Sequence, residues 1–197
     1  ACIQVEKYSE AGIFTGLFAL VQIFVAMNPE QSVYFANPDG NFNDDYYFSW
    51  ADFYNDPYDS YKDIAGSLLS IPMAHKMIGF YTVADGSDGM LKVMRSYQYY
   101  AANAISDRVA KTDWNSKHLL GGYIWHTTGS GKTLTSFKAA QVLIENPKVH
   151  KVVFVVDRSD LDYQTTKEFN HFSDGSVDGT DNTRALVKQL AGDQKLI

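Results

Sequence analysis

The residues with the clearest chemical potential form a short glycine-rich run, Gly-Ser-Gly-Lys-Thr, at positions 129–133. Glycines let the backbone bend so that successive N–H groups converge on the oxygens of a phosphate. A helix that begins at the same place adds a favourable dipole. In such a loop, the Lys132 ammonium meets the terminal phosphates and the Thr133 hydroxyl binds Mg²⁺. The run therefore predicts a nucleotide-binding loop in which Lys132 also acts in catalysis.

The strict loop pattern, G-x-x-x-x-G-K-[ST], places its first glycine at position 126, where this sequence has His126. The match therefore covers only the second half of the pattern. The context supports it, because an apolar stretch at 123–125 predicts a strand before the loop and residues 132–146 predict a helix after it. We interpret His126 as a loop-packing residue, since no partner carboxylate can be assigned from the sequence.

A candidate base-binding group precedes Lys132 by 34 residues, at Gln98, with Arg95 and Tyr97 beside it. An amide donates and accepts a hydrogen bond at once, which matches the N6 and N7 edge of adenine, and a neighbouring ring can cover the base. The alternative is a helix that carries a surface glutamine and packed tyrosines. The phosphate-loop pattern downstream favours adenine binding.

The elements around these residues predict an α/β fold with a parallel sheet and crossover helices. We expect a helix over 90–109, a short buried strand at 123–125, a helix over 132–146 and a second buried strand over 151–156. A further helix around 168–172, a helix from a Thr183 cap to Leu190, and the start of another strand at 195–197 follow.

The first part of the chain predicts a smaller α+β piece. A helix starting at residue 13 is expected to run into a strand at 21–26, and a second strand at 32–36 completes a hairpin. Residues 37–63 combine seven aspartates with nine aromatic residues and predict a loop-rich segment with inward-pointing rings. Helical apolar spacing over 64–80 is interrupted at Pro72.

Composition and charge indicate two different halves. The 197-residue chain has a formal net charge of −6, which by itself weighs against a nucleic-acid partner. However, residues 1–90 carry three basic and twelve acidic side chains, whereas residues 91–197 carry fourteen basic and eleven acidic ones. The change coincides with a Gly/Asp/Ser stretch at 84–89, so we place a domain boundary there, giving domains 1–84 and 85–197.

The cellular setting follows from the cysteine count and the apolar segments. The single cysteine, Cys2, cannot form an internal disulfide, and no spaced Cys/His cluster suggests zinc, so we expect a reducing, cytoplasmic location. The most apolar stretch, 13–27, is shorter than the roughly 20 residues that cross a bilayer, so no membrane is expected. The chain begins with Ala1 and is interpreted as an internal piece of a longer protein.

Three segments together resemble the Q motif, motif I and motif Ia of superfamily 2 helicase-like translocases. They are Arg-Ser-Tyr-Gln at 95–98, Gly-Tyr-Ile-Trp-His-Thr-Thr-Gly-Ser-Gly-Lys-Thr at 122–133 and Val-Asp-Arg-Ser-Asp-Leu at 156–161. The run around the loop, with Phe137, Lys138 and Gln141 after it, is similar to the restriction (motor) subunit of type I restriction-modification enzymes. In that family a histidine is expected in place of the first glycine.

This resemblance implies a RecA-like P-loop domain that binds ATP and Mg²⁺. It assigns ATP binding to Arg95, Tyr97, Gln98, Thr128, Gly129, Ser130, Gly131, Lys132 and Thr133, with Thr133 as the metal ligand. Asp157 ends an apolar strand and could imitate the metal-binding acid of a motor, but the strand is the first after the loop helix, where motif Ia belongs. Arg158 is then expected to contact DNA phosphate; its alternative is a solvated strand end.

The resemblance extends to the beginning of the chain. Gln4 and Tyr8 match the Q-x-x-x-Y helix that follows the catalytic core of RecB-like PD-(D/E)xK nucleases, which implies a catalytic role for both. The chain would be the tail of a nuclease domain joined to the first part of a motor domain. The catalytic carboxylates of both centres would lie outside it, so we expect the piece alone to be inactive.

The implied function of the full-length subunit is ATP-driven translocation of double-stranded DNA and endonucleolytic cleavage. Its implied partners are the methyltransferase and specificity subunits, and the DNA recognition sequence lies in the latter. Two other functions stay open from the residues. One is a small stand-alone P-loop NTPase or kinase that uses Asp157 as its metal-binding acid. The other is a non-catalytic scaffold with a vestigial phosphate loop and an acidic, aromatic docking surface.

Overall fold

A computed structural model describes residues 2–40, 42–116, 121–156, 159–173 and 182–197 of the chain. The chain folds as two compact units, Ala1–Tyr99 and Tyr100–Ile197. The predicted division at residues 84 and 85 into a nuclease part and a motor part stays a prediction. The two units are described in turn.

The first unit begins with helix α1, Cys2–Glu10, and a 3₁₀ turn, Gly16–Leu20. Strand β1, Ile23–Met27, then pairs antiparallel with β2, Ser32–Ala36. The predicted strand at 32–36 is confirmed. The helix expected from residue 13 is wrong, because only the 3₁₀ turn forms there, before β1. Gly12 and Gly16, the latter being the first residue of the turn, both have positive φ.

Aromatic rings form the core of the first unit. Tyr34 and Trp50 are both buried and meet edge to face with ring centroids 5.7 Å apart. Trp50 also lies 5.8 Å from the ring of Tyr99. Inward-pointing rings were predicted for residues 37–63, and Trp50 confirms this. Phe53 and Tyr54 depart from the prediction, because they lie in an exposed turn.

Two short helices, α2 (Tyr61–Gly66) and α3 (Ile71–Gly79), follow the aromatic segment. Pro72 was expected to interrupt a helix, but it lies in the first turn of α3. A proline is tolerated there because the first N–H groups of a helix have no intrahelical acceptor.

A second antiparallel hairpin closes the first unit, with β3 at Thr82–Asp85 and β4 at Met90–Val93. The helix expected over 90–109 is therefore wrong in its first residues, and α4 instead spans Ser96–Lys111. The Asp85 carboxylate stabilises the turn, since it accepts hydrogen bonds from the Ser87 N–H and hydroxyl and pairs with the Lys92 ammonium. These contacts fix residues 90–93 as a strand.

Helices dominate the second unit. Helix α5, Lys132–Ile144, packs against α6, Ser159–Phe172, through the buried ring of Phe137, which lies 5.4 Å from Phe169 and 5.2 Å from Phe172. The last helix, α7, spans Thr183–Ala191. Its cap is Asn182, whose side-chain oxygen accepts the Ala185 N–H at 2.9 Å, so the predicted Thr183 cap is wrong by one residue.

The predicted parallel sheet is not formed in the described residues. Residues 123–125 belong to no helix and pair with no strand there, and Tyr123 and Trp125 are 88% and 87% exposed. Val152 makes an isolated parallel bridge with Leu196, supported by the Phe154 N–H, which donates to the Ile197 carbonyl at 2.8 Å. The fold is mixed α and β, with two small antiparallel sheets.

Within residues 2–40, 42–116, 121–156, 159–173 and 182–197, no helix is both long enough and apolar enough to cross a bilayer.

The buried hydroxyl of Tyr34 gives a first testable prediction. It donates to the Met94 carbonyl at 2.9 Å, and burial raises the pKa of this phenol. Tyr34→Phe keeps the ring but leaves the carbonyl without that donor, so the free energy of unfolding should fall by about 1 to 2 kcal/mol. Denaturant unfolding measures this. The exposed Tyr46 offers a matched control, and equal stability of Tyr34→Phe and Tyr46→Phe would contradict the assignment.

Candidate phosphate-binding site

The loop before α5 has a backbone that only glycine adopts easily. Gly129 has φ of 76° and Gly131 has φ of 75°, both in the left-handed region. A Cβ at Gly129 would meet nothing within 4 Å, so the constraint there is the dihedral angle and not the available space. Gly131 is also the N-cap of α5, directly before its first residue, Lys132. The two glycines therefore set the direction of the loop as it enters the helix.

The start of α5 leaves hydrogen-bond donors for an anion. The N–H and hydroxyl of Thr135 both lie 3.0 Å from the Gly131 carbonyl, which closes the first turn. The N–H groups of residues 132–134 come earlier in the helix and have no acceptor within it. Gly131 and Lys132 are exposed, so a dissolved anion can reach this helix end. Thr133 is half-buried in the same first turn.

The loop closes on the carbonyl oxygen of Thr127. The Ser130 hydroxyl donates to this oxygen at 2.7 Å, and the Lys132 ammonium donates to it at 2.9 Å. The Ser130 N–H lies 3.4 Å from the same oxygen. The Lys132 ammonium is thus held at the loop, where a bound phosphate would lie beside it.

His126, at the position of the first pattern glycine, is half-buried. Burial lowers the pKa of its imidazole, and the nearby positive charge of Lys132 lowers this pKa further. Both effects favour the neutral ring at pH 7. His126 therefore adds no second full charge to the loop, and the positive charge there is that of Lys132.

Sequence reasoning missed the chemistry of Lys138, which it used only as part of a motif. Lys138 is 7% exposed, and its ammonium donates to the Gln141 amide oxygen at 2.8 Å. Burial lowers the pKa of this ammonium to about 8. A signal was present in the sequence, because Lys138 stands in an otherwise apolar run, between Phe137 and Ala139. A charged residue in such a run indicates a buried charge.

The candidate adenine-binding group lies at the start of α4. The Gln98 side chain is buried, and its oxygen accepts the Arg95 N–H at 2.8 Å, as one half of a capping box. The Arg95 guanidinium lies 4.5 Å from the centre of the Phe48 ring and 3.4 Å from the Tyr97 hydroxyl. These three residues are brought together locally, with Gln98 supporting the helix start. Adenine binding stays a prediction.

The remaining predicted site residues are separate from these groups along the chain. Gln4 and Tyr8 lie on α1, both exposed and four residues apart, so they share one face of the helix. Asp157 and Arg158 lie outside the described residues, so their predicted roles stay predictions.

The part of the chain that contains this loop is similar to known ATPases. Residues 97–197 match the family model of the SWI2/SNF2 ATPases. The type I restriction enzyme SsaAORF53P endonuclease subunit of Staphylococcus saprophyticus is 44% identical over 187 residues, which is 95% of this chain and 19% of that protein. The type I restriction enzyme SauCOLORF180P endonuclease subunit of Staphylococcus aureus is 42% identical over 187 residues, which again cover 95% of this chain and 19% of that protein.

A shorter relative decides the assignment. It is the putative C-terminal part of the type I restriction enzyme MpnIIP endonuclease subunit, from Mycoplasma pneumoniae. The two sequences are 42% identical over 149 residues, which cover 73% of this chain and 71% of that protein. The chain belongs to the type I restriction endonuclease subunits. It spans about a fifth of the length of the staphylococcal subunits. The part of the chain that matches the SWI2/SNF2 ATPases includes the whole glycine-rich loop at 129–133.

The buried Lys138 ammonium makes stability depend on pH. The unfolded chain keeps this proton up to the usual pKa of 10.5, whereas the folded chain loses it near 8. Between these values the unfolded state binds more protons, so stability rises with pH, and the burial penalty is present in full below pH 8. Lys138→Met should therefore stabilise the protein at pH 7 by on the order of 2 kcal/mol, and by less at pH 10.

Denaturant unfolding of both proteins at pH 7 and pH 10 measures this difference. The exposed Lys148 provides a matched control, and Lys148→Met should leave the pH dependence as it is in the unsubstituted protein. An unchanged pH dependence in Lys138→Met would show that Lys138 carries no such penalty.

Proposed function

We propose that this chain is part of the ATP-dependent, DNA-translocating and DNA-cleaving subunit of a type I restriction enzyme. The observation that carries the proposal is the loop at 127–133, with two left-handed glycines and Lys132 at the start of α5. It lies inside the region that matches the SWI2/SNF2 ATPases. The relatives' names as endonuclease subunits support cleavage by the complete subunit.

The described residues fit ATP through the phosphate loop. The N–H groups of residues 129–133 and the positive end of α5 would hold the phosphate oxygens. Lys132 would leave the Thr127 carbonyl and donate to the terminal phosphates. The freed charge then lies where the transferred phosphoryl group carries most negative charge.

Mg²⁺ would be held by the Thr133 hydroxyl together with phosphate oxygens and water. This donor set suits the ion, which usually keeps several waters and takes few ligands from the protein. Bound there, the ion would offset the negative charge of the phosphates. Among the described residues no group of three or more His, Cys, Asp or Glu could hold a metal. We propose that the acidic pair of the motor lies in another part of the complete subunit.

For the fold, we propose a parallel P-loop sheet in the complete motor domain. The parallel bridge between Val152 and Leu196 supports this arrangement, in which residues 123–125 would form the strand directly before the loop. Lys151 strengthens the bridge, because its ammonium donates to the Gly192 and Gln194 carbonyls at 2.6 Å. Residues 85–197 would form the first part of the motor domain.

Residues 1–84 would form the end of a nuclease domain and its connection to the motor. Gln4 and Tyr8, on one face of α1, are our candidates for supporting nuclease catalysis. Arg158 is our candidate for a DNA phosphate contact. The partners would be double-stranded DNA and the methyltransferase and specificity subunits, in the cytoplasm. No specific observation favours a small kinase that uses Asp157 or a non-catalytic scaffold.

Lys132 provides the direct test of nucleotide binding. Each charge-assisted hydrogen bond contributes about 1.5 to 3 kcal/mol, so Lys132→Ala should weaken binding of a non-hydrolysable ATP analogue by about 10-fold to 100-fold. Calorimetry on the intact subunit measures the affinity. Lys148→Ala removes an exposed lysine beyond the far end of α5 and should bind like the unsubstituted subunit. Equal affinity of Lys132→Ala and Lys148→Ala would exclude the proposed phosphate site.

Base choice tests the role of Gln98 separately. Gln98→Glu keeps an oxygen for the Arg95 N–H but removes the amide donor that would bind adenine N7. The preference for ATP over GTP should fall by about 5-fold to 160-fold, which corresponds to about 1 to 3 kcal/mol. Competition binding with both nucleotides, with thermal melting to verify the fold, gives the result. Parallel losses for ATP and GTP would assign Gln98 to the helix start alone.

A further inference from the structure

The Thr127 carbonyl is the acceptor for two side chains of the phosphate loop. The Ser130 hydroxyl lies 2.7 Å from this oxygen and the Lys132 ammonium lies 2.9 Å from it. A carbonyl oxygen has two lone pairs, so these two donors can occupy both. The Ser130 N–H, at 3.4 Å, is the longest of the contacts. The hydroxyl and the ammonium therefore share one acceptor.

This shared acceptor matters when a triphosphate arrives. A carbonyl oxygen carries partial negative charge, so the Thr127 oxygen attracts the Lys132 ammonium and competes with phosphate oxygens for it. Nucleotide binding, as proposed above, moves Lys132 from the Thr127 oxygen to the phosphates. The Ser130 hydroxyl does not need to move, and it continues to donate to the Thr127 oxygen.

We propose that Ser130 is a positioning residue whose hydroxyl holds the Thr127 carbonyl, so that the Lys132 ammonium can exchange this oxygen for a phosphate oxygen. The inference rests on the proposed ATP-binding function and deepens it. The loop pattern assigns only a backbone N–H to this position, whereas the contact at 2.7 Å gives the side chain a role. Without the hydroxyl, the Thr127 oxygen would retain Lys132 more strongly and compete with phosphate.

The test compares Ser130→Ala with Ser130→Thr in the intact subunit. One neutral hydrogen bond corresponds to about a 2-fold to 12-fold change in affinity, so Ser130→Ala should bind a non-hydrolysable ATP analogue more weakly by about that factor. Inorganic triphosphate, a probe without a base, should lose affinity by a similar factor. Ser130→Thr keeps the hydroxyl and should bind within about 2-fold of the unsubstituted subunit. Equal binding by Ser130→Ala and the unsubstituted subunit would overturn the inference.

A double-mutant cycle separates positioning of Lys132 from a general effect on loop shape. If Ser130 acts through Lys132, Ser130→Ala should change affinity by less than about 2-fold in a Lys132→Ala background. The same fold-change in both backgrounds would overturn the proposal. The weakened binding can be measured by displacing a fluorescent ATP analogue with the non-hydrolysable analogue at millimolar concentration. Should the Lys132→Ala background bind too weakly to measure, restoration of affinity by Ser130→Thr supports the proposal and failure to restore it overturns it.

The outcomes also distinguish this inference from the proposed function. Binding that is lost in Lys132→Ala but unchanged in Ser130→Ala refutes only the role of the Ser130 hydroxyl. Binding that is unchanged in Lys132→Ala refutes the phosphate site itself, whatever Ser130→Ala does.

Discussion

Two glycines held at positive φ, Gly129 and Gly131, are the constraint on which the candidate site depends. Their left-handed dihedral angles set the path by which the chain enters α5, whose first N–H groups have no acceptor within the helix and are available to an anion. A residue with a Cβ at either position would be strained, so the loop would lose this path. The contacts of the Ser130 hydroxyl and the Lys132 ammonium with the Thr127 carbonyl depend on this path.

Three basic residues in and after that loop differ in exposure and charge. Lys132 is exposed and lies at the loop, whereas Lys138, less than two helical turns later, is buried and has a lowered pKa. The same residue type therefore has two different environments on one helix. His126 is held neutral by burial and by Lys132, which leaves the ammonium as the full positive charge that the loop offers to an anion.

Sequence reasoning predicted the elements that local chemistry determines. Helix α5, the strand at 32–36 and the phosphate loop all carry their own signals in periodicity or glycine spacing. The start of α4 was wrong, because side-chain contacts of Asp85 with Lys92 fix residues 90–93 as a strand, and apolar spacing alone does not report such contacts. The strand at 123–125 was also wrong for the described residues, since a strand depends on a partner that local sequence cannot supply.

The site was predictable to a similar extent. Motif spacing indicates Lys132 and Thr133, whose roles stay predictions, but the occupation of the Thr127 carbonyl by two donors depends on distances that no spacing encodes. The most direct measurement is a structure of the intact subunit bound to a non-hydrolysable ATP analogue. The account predicts phosphate oxygens within hydrogen-bond distance of the N–H groups of residues 129–133, with the Lys132 ammonium on a phosphate oxygen. An analogue bound elsewhere, or Lys132 still on the Thr127 oxygen with the analogue in place, would contradict it.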